Sequence, residues 1–155
     1  MKIIPRKYFL TRGIGRGDNY IEAFEMALRD AGIEGYNLVP VSSILPKNCE
    51  RVDIDSGKKE LEYGQIVFCV MARKVFREGT HSVAVGVAKG NADHGYFVEI
   101  ERDDDKAEEE ALSTAKRLFR SKFGEEPSEV EVVSAETTGD GKKYTCIVAV
   151  AVLIT

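Results

Sequence analysis

The sequence predicts an α/β (α+β) chain in which two sheets stack face to face with a helix outside each, a four-layer α/β/β/α sandwich of two β-α-β-β units. Three observations carry this. Each half of the chain has one amphipathic helix with strands before it and a strand pair after it. The segments Gln65–Lys74 and Tyr144–Ile154 are apolar almost throughout, as strands covered on both faces are. No linker interrupts the chain, so residues 1–155 form a single domain.

A short first strand spans Arg6–Thr11, and Gly13-Ile14-Gly15-Arg16-Gly17 follows as a flexible connection whose glycines allow tight turns. This run lacks the Lys-Ser/Thr of a phosphate-binding loop, and its third glycine comes too early for GxGxxG. Asn19 with Glu22 three residues on is a capping-box pattern. Ala23, Phe24, Ala27, Leu28 and Ala31 then recur at helical spacing until Gly32, giving a helix from Tyr20 to Ala31. A strand at Asn37–Val41 is separated from the Gln65–Lys74 strand by a polar loop with Asp53, Asp55, Gly57, Lys58 and Lys59.

In the second half, strands Ser82–Ala88 and Gly95–Glu101 lead into a helix from about Asp105 to Phe123. Its apolar stripe is Ala107, Ala111, Leu112, Ala115, Leu118 and Phe119, and Gly124 and Pro127 end it. Strands Val130–Ala135 and Tyr144–Ile154 follow, joined by the turn Thr138-Gly139-Asp140-Gly141.

Composition excludes several functions. Hydrophobic residues make up 43% and charged residues 31%, the balance of a folded rather than a disordered chain. A net charge of −4 without a basic stretch gives no footprint for nucleic acid. The longest apolar run, Cys146 to Ile154, is too short to span a bilayer, so a cytoplasmic protein without a membrane partner is expected. Cys49, Cys69 and Cys146 are scattered and fit neither a disulfide framework nor a zinc site. Cys69 and Cys146 are expected as small core hydrophobes. His81 and His94 are expected as exposed loop residues, and no metal is implied. The acidic run from Glu101 to Glu110 complements the start of the second helix and is otherwise a solvated face.

The segment Tyr36-Asn37-Leu38-Val39-Pro40-Val41-Ser42-Ser43-Ile44-Leu45-Pro46 is more informative. A strand pattern stops in two adjacent serines before Ile-Leu-Pro. A serine pair alone is an ordinary turn. Its neighbours alter that reading. The run Ala27-Leu28-Arg29-Asp30-Ala31-Gly32-Ile33, then Asn37-Leu38, then Val41-Ser42-Ser43-Ile44-Leu45-Pro46 resembles the pyruvoyl-dependent arginine decarboxylases in order and spacing. Gly95-Tyr96-Phe97-Val98-Glu99 is similar to the strand that carries that family's acid.

The resemblance implies that the chain cleaves itself between Ser42 and Ser43 into residues 1–42 and 43–155, and that Ser43 becomes a covalent pyruvoyl cofactor. Ser43 Oγ would attack the Ser42 carbonyl to give an ester, and elimination and loss of ammonia would follow. That route calls for a strained turn, an oxyanion donor and a base. Asn37 would donate a hydrogen bond during processing. Glu99, kept protonated between Val98 and Ile100, would donate the proton of the decarboxylation. Glu25, where the family usually has aspartate, would hold the positive end of the substrate.

The implied reaction converts L-arginine to agmatine and carbon dioxide through an imine with the Ser43-derived group, in a homo-oligomer, a trimer or dimer of trimers. Two alternatives stay open: another basic substrate such as lysine or ornithine, and a non-cleaving paralogue that acts as a binding or assembly subunit. Glu25 itself has an ordinary explanation, since Arg29 lies four residues on.

Overall fold

The chain, described over residues 1–155 by a computed structural model, runs β1 (Lys7–Gly17), α1 (Tyr20–Ala31), β2 (Asn37–Pro40), β3 (Ile44–Pro46), β4 (Glu50–Arg51), α2 (Ile54–Lys58), β5 (Ile66–Phe76), β6 (Thr80–Lys89), β7 (His94–Arg102), α3 (Ala107–Phe123), β8 (Glu129–Thr138) and β9 (Tyr144–Ile154). One sheet has the order β2-β5-β9-β1-β4 and the other β3-β7-β6-β8.

Side-chain alternation along β9 shows how the layers form. Ile147, Ala149, Ala151 and Leu153 join the core between the sheets. Cys146, Val148, Val150, Val152 and Ile154 join the core beneath α1. In the second sheet Val83, Val85 and Val87 face the first sheet, while Ala84 and Ala88 face α3. The layers are thus α1, first sheet, second sheet and α3, the predicted sandwich. Each fully buried Val or Leu contributes ~1.5–3 kcal/mol, so the apolar strands are central to stability.

Element order repeats between the two halves, but sheet membership does not follow it. Strand β9, from the end of the chain, sits between β5 and β1 in the first sheet. The expected turn at Thr138–Gly141 therefore closes no hairpin: β8 pairs with β6, and the chain crosses between sheets before β9.

The glycine run is corrected more sharply. Gly13, Gly15 and Gly17 continue β1 instead of forming a flexible connection. They line the face on which α1 lies, where a Cβ on Gly13 would come 2.1 Å from the Ala27 carbonyl oxygen and one on Gly15 2.2 Å from the Ala27 nitrogen. Close helix–strand approach, and not a turn, requires these glycines. The helix matches them with Ala23, Ala27 and Ala31, all buried. Its ends are as expected: Asn19 accepts from the Glu22 amide at 2.9 Å, and Gly32 takes φ +78°.

The histidines are also corrected. His81 lies in β6, its ring over Phe76, with Nδ1 3.2 Å from Asp103. His94 begins β7 between the rings of Tyr96 and Phe123. Both are half-buried. The unforeseen β3, β4 and α2 are two to five residues long. Such pieces are too short to show periodicity.

Candidate active site

The serine pair lies on the crossing between the sheets. β2 is the edge of the first sheet and β3 the edge of the second, so Val41-Ser42-Ser43 bridges the two layers at one side of the sandwich. Two backbone bonds hold the bridge: Val41 N–H donates to the Cys69 carbonyl at 2.8 Å, and Phe97 N–H donates to the Ser43 carbonyl at 2.8 Å. Ser42 is exposed and Ser43 half-buried, and neither hydroxyl is bonded to another protein group. The crossing lacks one expected feature. No non-glycine residue has a positive φ, so the serines carry no left-handed strain. An apolar pocket of 300 Å³, with Val41, Ile44, Phe68 and Leu153 in its wall, adjoins Ser42.

Glu99 sits on the strand that binds Ser43. Phe97 faces the core between the sheets, and alternation puts Glu99 and Glu101 on that same face of β7. Two residues of strand correspond to about 7 Å, so Glu99 begins that far along β7 from the Ser43 contact. Burial, and then the neighbouring Glu101 carboxylate, raise the Glu99 carboxyl above its usual range. The setting differs from the expected one, because Val98 and Ile100 point the other way, into the core beneath α3. No cation pairs with Glu99, and Arg102 is engaged by Asp104 and Glu110.

Asn37 and Glu25 lie elsewhere in the single chain. Asn37 is at the far end of β2, where its Nδ2 donates to the Gly64 carbonyl at 2.8 Å. About 10 Å of extended strand separates it from Pro40, and three more residues lead to Ser43. Glu25 is on the outer side of α1, its carboxylate 2.7 Å from Arg29 Nε. One chain thus brings Ser42, Ser43 and the Glu99 strand together, but neither Asn37 nor Glu25 with them.

A cleft of 510 Å³ opens between α1 and the β2–β5 edge, with Asn37, Phe24, Leu28, Arg73 and Glu101 among its lining residues. Arg73 stacks its guanidinium on the Phe24 ring at 4.5 Å, and Glu101 accepts from the Arg73 amide at 3.2 Å. Sequence pattern gives Arg73 no distinction, since its value comes from a contact made across the fold. The three cysteines are buried, and burial pushes their thiols up to about 11 for Cys49 and Cys146 and about 12 for Cys69. They are poor nucleophiles at neutral pH.

The serine pair thus lies on a backbone crossing beside the strand of Glu99, in an α/β/β/α sandwich. A family model described as pyruvoyl-dependent arginine decarboxylase matches residues 7–155. The chain belongs to that family, and its cofactor is a covalent pyruvoyl group. It is 40% identical to pyruvoyl-dependent arginine decarboxylase 1 of Methanosarcina acetivorans, covering 99% of this chain and 98% of the relative. It is also 40% identical to pyruvoyl-dependent arginine decarboxylase 2 of Archaeoglobus fulgidus, covering 99% of each. A probable pyruvoyl-dependent arginine decarboxylase of Chlorobaculum tepidum is 48% identical over 64% of this chain and 57% of its own.

Proposed function

We propose that this chain cleaves itself between Ser42 and Ser43 and then decarboxylates L-arginine to agmatine in the cytoplasm. The observation that carries the reading is the position of Ser43: unbonded at its hydroxyl, on an accessible crossing, and tied by its carbonyl to the strand of Glu99. No helix is long and apolar enough to cross a membrane.

The residues present fit a pyruvoyl group at position 43. The free hydroxyl can reach the preceding carbonyl, the crossing is open, and β3 continues directly from the new terminus into its pairing with β7. Leu45, 1% exposed, anchors that strand after cleavage. When formed, the group supplies a ketone for the substrate amine and an electron sink for the carboxylate bond. The protein's part is to bind, orient and move protons. Glu99, whose carboxyl is raised above its usual range by burial and Glu101, delivers a proton to the substrate α-carbon. Glu25 faces the guanidinium, which is planar, permanently charged and best met by a carboxylate.

Distance within one chain separates Asn37 and Glu25 from Ser43, which supports a site completed by a neighbouring copy in a homo-oligomer, a trimer or dimer of trimers. Val39, Val41 and Ile44 are exposed hydrophobics around the serine crossing, the surface such a neighbour would cover. The test is direct. On a denaturing gel the purified protein should separate into residues 1–42 and 43–155, the latter with a blocked, pyruvoyl-bearing terminus by intact mass. A chain that stays intact on long incubation would favour the assembly-subunit reading.

A further inference from the structure

We propose that the Phe97 backbone N–H is a catalytic donor in the chain's own cleavage, receiving the negative charge that builds on the Ser43 carbonyl oxygen. This rests on the reading that the chain breaks between Ser42 and Ser43.

Cleavage has two covalent stages. Ser43 Oγ bonds to the Ser42 carbonyl carbon as the peptide C–N bond breaks, leaving an ester and a free amine on residue 43, which takes the hydroxyl proton. Solvent hydroxide then removes the Ser43 Cα proton. The electron pair moves onto the Ser43 carbonyl oxygen, then returns to form the Cα–Cβ double bond as the Cβ–Oγ bond breaks. Ser42 leaves as a carboxylate. The second stage is difficult because an amide carbonyl acidifies its α-proton only weakly. A donor fixed at that oxygen lowers the barrier as the charge develops.

Phe97 N–H occupies that position at 2.8 Å, and it is held there before reaction. The Phe97 ring is 0% exposed and packs edge-on against Tyr8 with centroids 5.3 Å apart. Strand β3 has no other sheet partner than β7, with Ile44 opposite Tyr96, Leu45 opposite Gly95 and Pro46 opposite His94. The Ser43–Phe97 bond is the next rung of this ladder. An ordinary strand contact therefore places a preorganised donor on the one carbonyl oxygen that conjugates with the reacting Cα.

Replacing Phe97 by phenyllactic acid turns its amide into an ester, which deletes this N–H and weakens the Tyr96 carbonyl as an acceptor while keeping every side chain. The variant's elimination should slow about 100- to 1000-fold, the loss expected for one oxyanion donor. Its precursor should accumulate as the Ser42–Ser43 ester, split by hydroxylamine into fragments without a pyruvoyl terminus. Serine deuterated at Cα should reveal a primary isotope effect on cleavage. A milder change, Leu45→Val, loosens the buried anchor of β3 two residues from this rung and gives the same readout should the ester variant not fold. Wild-type rates and no ester build-up in the folded variants overturn the proposal, as does arrest before any hydroxylamine-sensitive species forms. An intact wild-type chain overturns the self-cleavage reading itself.

Discussion

Glu25 and Arg29 form an ion pair at 2.7 Å on the outer side of α1, so the carboxylate assigned to the substrate is already occupied by a guanidinium. The pair is exposed and worth little to stability, ~0.3–0.5 kcal/mol for this spacing. A substrate guanidinium enclosed between two copies would compete well against it.

Glu25→Gln should accordingly raise the KM for arginine by tenfold or more while cleavage of the chain is unchanged. Neutral citrulline, of similar shape, should not be decarboxylated. Arg29→Ala should lower the KM for arginine by removing the competitor. Steady-state kinetics with arginine, citrulline, ornithine and lysine checks all of this. Equal rates on arginine and citrulline would leave Glu25 as a surface partner of Arg29 alone.

Asn37→Ala tests a different step. Its amide donates to the Gly64 carbonyl, a bond worth ~1 kcal/mol, so the fold should survive its loss. Processing should nevertheless slow at least tenfold, followed as precursor against time on a denaturing gel. Cleavage at the wild-type rate would reduce Asn37 to a loop tether.

The layers and long elements were legible because they rest on local pattern. Helix α1 was expected at Tyr20–Ala31 and is found there, since Asn19 and Gly32 terminate it by side-chain and φ chemistry that sequence displays. Strand β9 was legible in its continuous apolar run, but its place in the first sheet was not, because pairing partners leave no local mark. Ser42 and Ser43 stand out in the sequence through resemblance alone. Their position on a sheet crossing, and the Phe97 contact, depend on pairings with residues far along the chain, Val41 with Cys69 and Ser43 with Phe97.

Gly15 shows the same limit and yields a prediction. A glycine suggests a turn, yet here it admits a helix backbone onto a strand. Gly15→Ala should lower Tm strongly, because a Cβ 2.2 Å from the Ala27 nitrogen cannot be accommodated without moving α1. Overpacking of this kind costs about 1–3 kcal/mol or more. Thermal unfolding checks it, and an unshifted Tm would mean the helix can retreat freely.

A polar network bridges the two sheets beside the core. Tyr8 Oη donates to Glu131 at 2.8 Å, Lys89 Nζ lies 3.1 Å from Glu131, and Arg51 lies 2.5 Å from it. Burial alone would raise the Glu131 carboxyl, but bonds from Tyr8, Lys89 and Arg51 outweigh it and hold the carboxyl below its usual range. Its contribution is therefore present above the ordinary carboxylate pKa and fades as pH falls through the lowered one. Glu131→Ala should cost about 1–3 kcal/mol at neutral pH, since it leaves the Tyr8 hydroxyl without its acceptor, while Lys89 keeps Tyr8 and Glu129. The loss should shrink in acid. Denaturant unfolding at pH 7 and in acid measures both, and a pH-independent loss would show that packing, not charge, is at stake.

Glu99 has the opposite sign. Burial and then Glu101 raise its carboxyl, so its protonated form is favoured in the folded protein. Stability from this group is fully present below the ordinary carboxylate pKa and is lost as pH rises through the raised one. Glu99→Gln, nearly isosteric and unable to ionise, should therefore match wild type in acid and exceed it in stability at neutral pH. Its chain should still cleave, because the Ser43–Phe97 contact does not use the Glu99 side chain. Turnover should fall about 100- to 10,000-fold, the range for losing a positioned general acid. In the wild type, turnover should decline as pH rises through the Glu99 pKa, and that limb should be absent from the residual activity of the variant. Unfolding curves at two pH values and pH–rate profiles on fully cleaved protein separate the two roles. Full decarboxylase activity in a cleaved Glu99→Gln enzyme would remove Glu99 from the proton transfer and leave it as a buried carboxylate whose raised pKa only costs stability.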